Sequence, residues 1–497
     1  MTTNSPNPQP ASRFDKPTSQ WIKAIFWCIV YILFVIWLGN YWWMLVLPLI
    51  FDAFITKFIP WTWWKNSKSK TVRSVMSWVD AIGFALIAVY LINNYLFQNY
   101  QIPTSSLEKT LLVGDFLAVS KASYGPRVPM TPFSFPLVQN TFPILNSKSY
   151  LEKPQVKYRR LKGHDSIERN DIVVFNFPAG DTIAVKAQNP DYYTLCYREG
   201  LAYVINYLQV EPTAELCYRY GREIVKSKAA QYGEIMYRPV DRRENYVKRC
   251  VGIPGDTLQI INNQIVVNGT PQPKFPGIQF NYFVQTDGTR LTREALDKMN
   301  ISNEDFWEID NAERFELLKT LGLNTNFPVY HFPLTEETYK MMLNTRGVIK
   351  MVIEPDSAFV YHRNDDDVYP LGGGLKWTRD NYGPVYIPKK GSTIPLNKET
   401  YAIYERCIKN YEGNKTEVKN GQFFINDKPA TSYTFQMDYY WMMGDNRHKS
   451  SDSRYWGFVP EDHVVGRPMF VWLSLNKDKS LFNGKIRFER FFKNARK

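Results

Sequence analysis

The first hundred residues limit this chain more than any other feature. From Trp21 to about Tyr100 the 497-residue sequence is mostly apolar and aromatic, and beyond that it has soluble composition rich in Tyr and Phe. Trp21–Leu38 carries Lys23 as its only charge and approaches the ~20 residues a helix needs to cross a bilayer core. No small-residue cleavage site follows it, so a removable leader is a poor fit. A second apolar stretch, 42–58, contains Pro48 and Asp52, and a third runs over 75–97. The pattern predicts a three-helix membrane anchor over 21–98 behind a cytoplasmic tail of residues 1–20, with Asp52 tucked between helices near one end.

Orientation follows from Lys65, Lys68, Lys70 and Arg73 between the second and third stretches. Basic loops stay on the cytoplasmic side, so everything from about Gln98 onward faces outward. The formal charge of +13 fits residence beside an anionic membrane surface. Nucleic acid is excluded as a partner, because no zinc-ligand spacing, basic helix or long Lys/Arg run is present. Five cysteines form no C-x-x-C pair, which argues against zinc or dithiol chemistry. Cys196 and Cys217 lie in the outward part, where a disulfide and two free thiols are both compatible with the sequence.

Three polar segments then carry the chemistry. Gln101-Ile102-Pro103-Thr104-Ser105-Ser106-Leu107-Glu108-Lys109-Thr110-Leu111-Leu112-Val113-Gly114-Asp115 places Ser106 a few residues after the last apolar stretch. Serine attacks an amide only when a base takes its proton. The histidines, His164, His331, His362, His448 and His463, show no acidic-partner pattern in sequence. A buried lysine can serve instead, because low-dielectric surroundings disfavour its ammonium form. Lys248 is the candidate, within the strand-like run Tyr246-Val247-Lys248-Arg249-Cys250-Val251 that ends at Gly252-Ile253-Pro254-Gly255-Asp256. Ser106-Leu107-Glu108-Lys109 also satisfies S-x-x-K, but no Lys-Thr-Gly follows, and Lys109 is assigned a surface role. The third segment, Gly444-Asp445-Asn446-Arg447-His448-Lys449-Ser450-Ser451-Asp452-Ser453-Arg454-Tyr455-Trp456-Gly457, is too rich in mutually bonding groups for a solvated loop.

In this order the three segments resemble the sequence boxes of bacterial type I signal peptidase (leader peptidase), over about 75–200, 240–270 and 435–475. A fourth, weaker box is Arg169-Asn170-Asp171-Ile172-Val173-Val174-Phe175. The resemblance implies Ser106 as nucleophile and Lys248 as general base, with an oxyanion hole from the Ser106 N–H and the Thr104 hydroxyl. It implies that Ser450 orients the lysine, with Arg249, Asp445, Asp452 and Arg454 as an ion-pair framework in which Asp445 partners Arg249. It also implies a substrate pocket lined by Ile102, Leu107, Leu111, Tyr246 and Val247. The chain departs from the family's pattern at Thr104, Ser105, Leu107 and Lys109, at Cys250, and at His448 and Lys449, the last two expected at an exposed edge.

The implied activity is removal of signal peptides from exported preproteins after small residues, without metal or cofactor. The implied partners are those preproteins and the lipid bilayer, with room for transient contact with the secretion machinery. The place is the cytoplasmic membrane, multi-pass, with the catalytic part on the outer side (the periplasm in a Gram-negative cell). The rival reading is a non-catalytic, membrane-tethered peptide-binding protein on the same fold. The expected fold is N-terminal transmembrane helices followed by a mainly β, signal-peptidase-like catalytic domain over 99–270 and 415–497. Residues 271–414 read as an inserted α+β subdomain and 192–237 as a mainly helical insertion. Within the former, 292–321 and 335–344 have helical spacing.

Overall fold

The computed structural model describes residues 14–496 apart from 40, 144, 146, 310–314, 357–367 and 481. It divides into one unit ending at residue 93, joined by 159–161, and a second made of 94–158 and everything from 162 onward.

In the first unit α1 (Thr18–Leu38) and α2 (Lys70–Tyr95) are, among the described residues, the two helices long and apolar enough to cross a membrane. Their apolar side chains point outward, Phe26, Leu33, Phe84 and Ile87 among them. The first begins within the expected tail, whose residues 1–13 lie outside the described residues. The stretch 42–58 departs from the expected third long helix. It is a succession of 3-10 turns (Tyr41–Val46), a short α-helix with Pro48 in its first turn (Leu47–Phe51) and wider π turns (Asp52–Thr56). The apolar helical part, Trp43–Thr56, is about 21 Å long at 1.5 Å per residue, against a hydrocarbon core of ~30 Å. Asp52 ends it. Its carboxylate accepts the Phe58 and Ile59 N–H groups at 2.6 and 3.1 Å and Trp61 Nε1–H at 3.0 Å, which folds the chain back on itself.

The second unit is organised by a seven-stranded antiparallel sheet. Its strands are β1 (Phe97–Gln101), β2 (Asp115–Ser120), β3 (Ile172–Asn176), β4 (Asn245–Gly252), β5 (Tyr439–Met443), β6 (Val459–Pro460) and β7 (Val464–Ser474). The spatial order is β1-β2-β7-β3-β4-β5-β6. Strand alternation gives each face its own core. Leu117, Val119, Ile172, Val174 and Val471 pack on one side; Val173, Phe175, Cys250, Met442 and Trp456 pack on the other.

The region 271–414 is not one body. Phe280–Thr286, Trp307–Glu308, Val329–Leu334 and Val348–Ile353 form a separate four-stranded sheet. The helical spacing noted over 292–321 and 335–344 resolves into short helices, Arg293–Lys298, Phe315–Thr320 and Glu336–Leu343. Tyr382–Tyr386 instead pairs with Thr257–Ile261 of the preceding hairpin. Its Tyr382 and Val385 share a core with Trp441 and Phe458, so this part belongs to the main body. That hairpin turns at Asn262 and Asn263, at φ 46° and 68°, where asparagine tolerates the left-handed region.

The stretch 192–237 is mainly helical, with α3 (Tyr192–Tyr203) and α4 (Ala214–Ser227) packed together. Their caps are Asp191 and Thr213, whose side chains accept first-turn N–H groups, as expected of N-cap residues. Cys196 and Cys217 are buried free thiols. Each sits where the opposing helix has glycine: a Cβ on Gly200 would lie 1.8 Å from the Cys217 carbonyl oxygen, and one on Gly221 1.7 Å from that of Cys196. Backbone meets backbone at both points, so a methyl group can be admitted only by parting the helices. Gly200→Ala should therefore destabilise the protein by about 2 kcal/mol or more, measured as a lower thermal midpoint in detergent, whereas Gly83→Ala, in α2 with open space around it, should cost nothing.

Candidate active site

Pro103 follows the last bonded residues of β1, and Thr104 is extended, at φ −128° and ψ 157°. The chain then makes a single 3-10 turn, Ser105–Leu107, with the Glu108 N–H closing on the Ser105 carbonyl at 3.0 Å. Leu107 and Leu111 anchor this turn in the sheet core. The loop's far end is held by Asp115, buried, which accepts the Leu112 N–H, the Ser474 hydroxyl and the Arg490 guanidinium. The turn therefore presents Ser106 from a fixed base.

Lys248 lies on β4 one position past the last β4–β5 pair, Arg249 with Met443. Its Nζ donates to Ser106 Oγ at 2.6 Å, and its side chain is buried. Burial pulls the Lys248 pKa down to about 8, opposed by the nearby Asp452 and Asp445 and reinforced by Arg454. A neutral amine at that distance can accept the serine proton. His331, His448 and His463 each pair with a carboxylate (Glu354, Asp380 and Asp462), yet the Ser106 hydroxyl bonds to lysine. Lys109, the S-x-x-K residue, points elsewhere: its Nζ donates to the carbonyls of Met299 and Asn300 at 3.1 and 2.6 Å. Its φ of 74° is closed to proline, the residue usual in the family's box.

The third polar segment closes over the pair. The Asn446 N–H donates to the Ser106 carbonyl at 3.0 Å. Asp445 accepts both Nε and a terminal nitrogen of Arg249, at 2.8 and 2.7 Å, and the Thr110 hydroxyl at 2.7 Å. Arg249 also donates to the Asn170 carbonyl at 2.8 Å. Asn170 has φ 76°, an angle that suits the glycine usual in the family's fourth box and is next best tolerated by asparagine. Asp452 is gripped by Arg454 at 2.9 and 2.8 Å and accepts the Gly444 N–H at 3.1 Å.

Ser450 stands apart from its expected bond. Its Oγ is buried without a hydrogen-bond partner, packed against Gly444, where an added Cβ would lie 2.2 Å from it and 2.6 Å from the Ser106 carbonyl oxygen. Thr104 is exposed, two residues before Ser106. Of the expected pocket residues, Ile102, Leu107 and Leu111 are sunk in the core. Val247 packs on that same cluster, and Tyr246 stacks on Phe177 at 4.5 Å. Only these last two are half-buried.

His448 and Lys449 do not lie at an exposed edge together. His448 is buried: its Nδ1 accepts the Asn281 N–H at 3.3 Å and its Nε2 lies 3.1 Å from Asp380 Oδ1. Burial holds its pKa below the usual value, which with the Asn281 donor fixes the neutral Nε2–H tautomer. Lys449, partly exposed, bonds Asp305 at 2.8 Å. Together with Lys109 these residues clamp the 280–354 sheet unit onto the loops carrying Ser106 and Ser450. Thr110, Asn446, Arg490 and Asp380 are contributors that motif reading missed. The first two lie inside quoted segments; the other two are remote in sequence.

The profile of the family described as "Signal peptidase, peptidase S26" matches residues 75–366 and 386–473. The chain belongs to this family. It is similar to the signal peptidase I of Haemophilus influenzae, 21% identical over 431 residues, covering 86% of this chain and 78% of that one. The signal peptidase I of Buchnera aphidicola from Acyrthosiphon pisum is 22% identical over 428 residues, 86% and 83% of the two chains. A shorter match to the Helicobacter pylori J99 signal peptidase I reaches 46% identity over 147 residues, 27% of this chain and half of that one.

Because Gly444 separates the Ser106 carbonyl from Ser450 by less than a methyl group, Gly444→Ala should move the serine turn. The expected result is a soluble, folded variant with peptidase activity lowered by about 10²-fold, whereas Asp445→Asn should unfold more readily by about 3 kcal/mol because it leaves the buried Arg249 unpaired.

Proposed function

We propose that the chain is a membrane-anchored Ser–Lys endopeptidase that removes signal peptides from preproteins after small residues. The observation that carries the reading is the 2.6 Å contact between a buried Lys248 amine and the Ser106 hydroxyl. Family membership and the names of the relatives supply the substrate class.

In this mechanism Lys248, neutral before attack, takes the Ser106 proton as Oγ adds to the scissile carbonyl. The Ser106 N–H and the Thr104 hydroxyl hold the oxyanion. The lysine then returns its proton to the departing amine, leaving an acyl-enzyme, and a water activated by the same amine releases the signal peptide. The opposing pulls on Lys248 suit both halves of this cycle. Burial loosens the amine's hold on its proton, and Asp452 and Asp445 make the ammonium tolerable once formed. Arg249, Asp445, Asp452 and Arg454 hold the surrounding loop, and Ser450, packed against Gly444, is the residue assigned to orient the amine. Tyr246 and Val247 line what remains of the expected pocket. The alternative of a peptide-binding protein without catalysis has no observation in its favour.

The helices α1 and α2 serve as the anchor. Lys65, Lys68, Lys70 and Arg73 on the cytoplasmic side of α2 direct the catalytic unit outward. That side is the same whether the short helical stretch between α1 and α2 crosses or only dips into the bilayer.

The test is cleavage of a preprotein with an Ala-x-Ala site by the full chain in detergent. Ser106→Ala and Lys248→Ala should each lower the rate by about 10³-fold or more with unchanged thermal midpoints; equal cutting by all three proteins would assign the activity to a contaminant. A second measurement is the pH profile. Only the neutral amine accepts a proton, so kcat/KM should fall as pH drops below about 8, roughly tenfold per unit.

A further inference from the structure

Three arginines, Arg249, Arg447 and Arg454, are buried around the serine turn, against two buried aspartates, Asp445 and Asp452. Both aspartates are taken bidentately, Asp445 by Arg249 and Asp452 by Arg454. Arg447 is left over. Its backbone is fixed, the N–H donating to the Gln279 carbonyl at 2.9 Å and the carbonyl accepting from Arg454 at 2.6 Å. Its guanidinium makes no hydrogen bond or ion pair among the described residues, and Nε is fully enclosed without a partner. The residue is 4% exposed. Burial, only partly offset by Asp445 and Asp452, pulls its pKa down to about 10. A cation removed from water without a counter-charge is costly, and proteins retain such a group where a ligand supplies the charge.

Arg447 lines a small cleft, of about 20 Å³, that opens to solvent. Ile265, Phe275, Ile278 and Phe280 give it apolar walls, and Lys274 stands exposed among its lining residues. No acidic residue lines it, and neither Ser106 nor Lys248 does. A fixed guanidinium with a second cation nearby and apolar walls between suits a carboxylate on a short hydrocarbon stem. The cleft is near the reacting groups, since Asn446, the residue before Arg447, bonds the Ser106 carbonyl.

We propose that Arg447, assisted by Lys274, receives one Glu or Asp side chain from the mature side of the scissile bond. The direction follows from substrate chemistry. A signal peptide is basic at its start, apolar in its middle and small at its end, so acidic residues come from the mature part. The cleft is thus a specificity subsite, and it rests on the peptidase reading above.

The test uses the full chain carrying Ser106→Ala, in detergent, with labelled peptides spanning a cleavage site and differing only by Glu or Gln at each of the first several mature positions. At one position Glu should bind about tenfold more tightly than Gln. The preference should vanish in Arg447→Gln and fall by about threefold in Lys274→Gln. Arg447→Gln should keep its thermal midpoint, because it removes an unpaired buried charge. If that variant does not fold, Lys274→Gln, at an exposed position, decides alone. Equal binding of Glu and Gln peptides at every position overturns the proposal, as does a preference undiminished in the folded variants. Binding of no peptide at all overturns the peptidase reading and the subsite with it, which separates the two failures.

Discussion

In the proposed mechanism a lysine amine serves as a base only when it gives up its proton readily, and the surroundings of Lys248 meet that requirement. The amine must be dry, so Lys248 sits inside the sheet at the point where β5 parts from β4. It must also be able to take a proton for the length of one reaction. Full isolation would forbid that, and direct contact with a carboxylate would charge it permanently. The arrangement lies between these limits. Asp445 and Asp452 are close enough to act on Lys248 through space, while their oxygens are occupied by Arg249 and Arg454. Ion pairs that contribute little net stability once desolvation is counted here set a proton affinity.

The same pairs explain why so polar a segment is buried. A loop that carries Asp445, Asp452 and Arg454 into a core must satisfy these groups internally. It does so by borrowing Arg249 from β4 and Thr110 from the serine loop. Each borrowed bond also fixes a geometry: the loop cannot shift without moving the strand of the base or the turn of the nucleophile. Gly444 is the tightest point, with the Ser106 carbonyl on one side and the Ser450 hydroxyl on the other.

Much of this was readable from the chain, and the failures have physical causes. Ser106 and Lys248 were singled out by the resemblance of their motifs, and the structure places the Lys248 amine 2.6 Å from the Ser106 hydroxyl. The pairs Arg249–Asp445 and Arg454–Asp452 were implied by the resemblance, since Arg249 and Asp445 lie far apart in sequence, and both are present. The hairpin at Asn262-Asn263 announced itself through its turn residues. The pocket was given only by the resemblance, and Ile102, Leu107 and Leu111 lie in the core beneath the turn that carries Ser106. His448 was misplaced because adjacency to Lys449 suggested an edge, whereas its partner Asp380 lies far away in sequence. The stretch 42–58 is helical but short and irregular, over Trp43–Thr56, and Asp52 gathers the N–H groups just beyond its end.

The separate sheet unit over 280–354 acquires a meaning from where it is fastened. Its contacts include Lys109 to Met299 and Asn300, Lys449 to Asp305, and His448 to the Asn281 N–H, beside ion pairs of Lys477 with Glu304 and Arg379 with Glu354. Lys109 lies three residues after Ser106, and His448 and Lys449 immediately precede Ser450. A unit that served only as scaffold could rest anywhere on the sheet. This one touches the two loops whose separation decides whether serine, amine and oxyanion donors meet. The neutral tautomer of His448, fixed between a backbone donor and Asp380, gives the clamp a single bonding pattern. The three positions at which these segments depart from the family's usual residues, Lys109, His448 and Lys449, are thereby the ones that bond this unit.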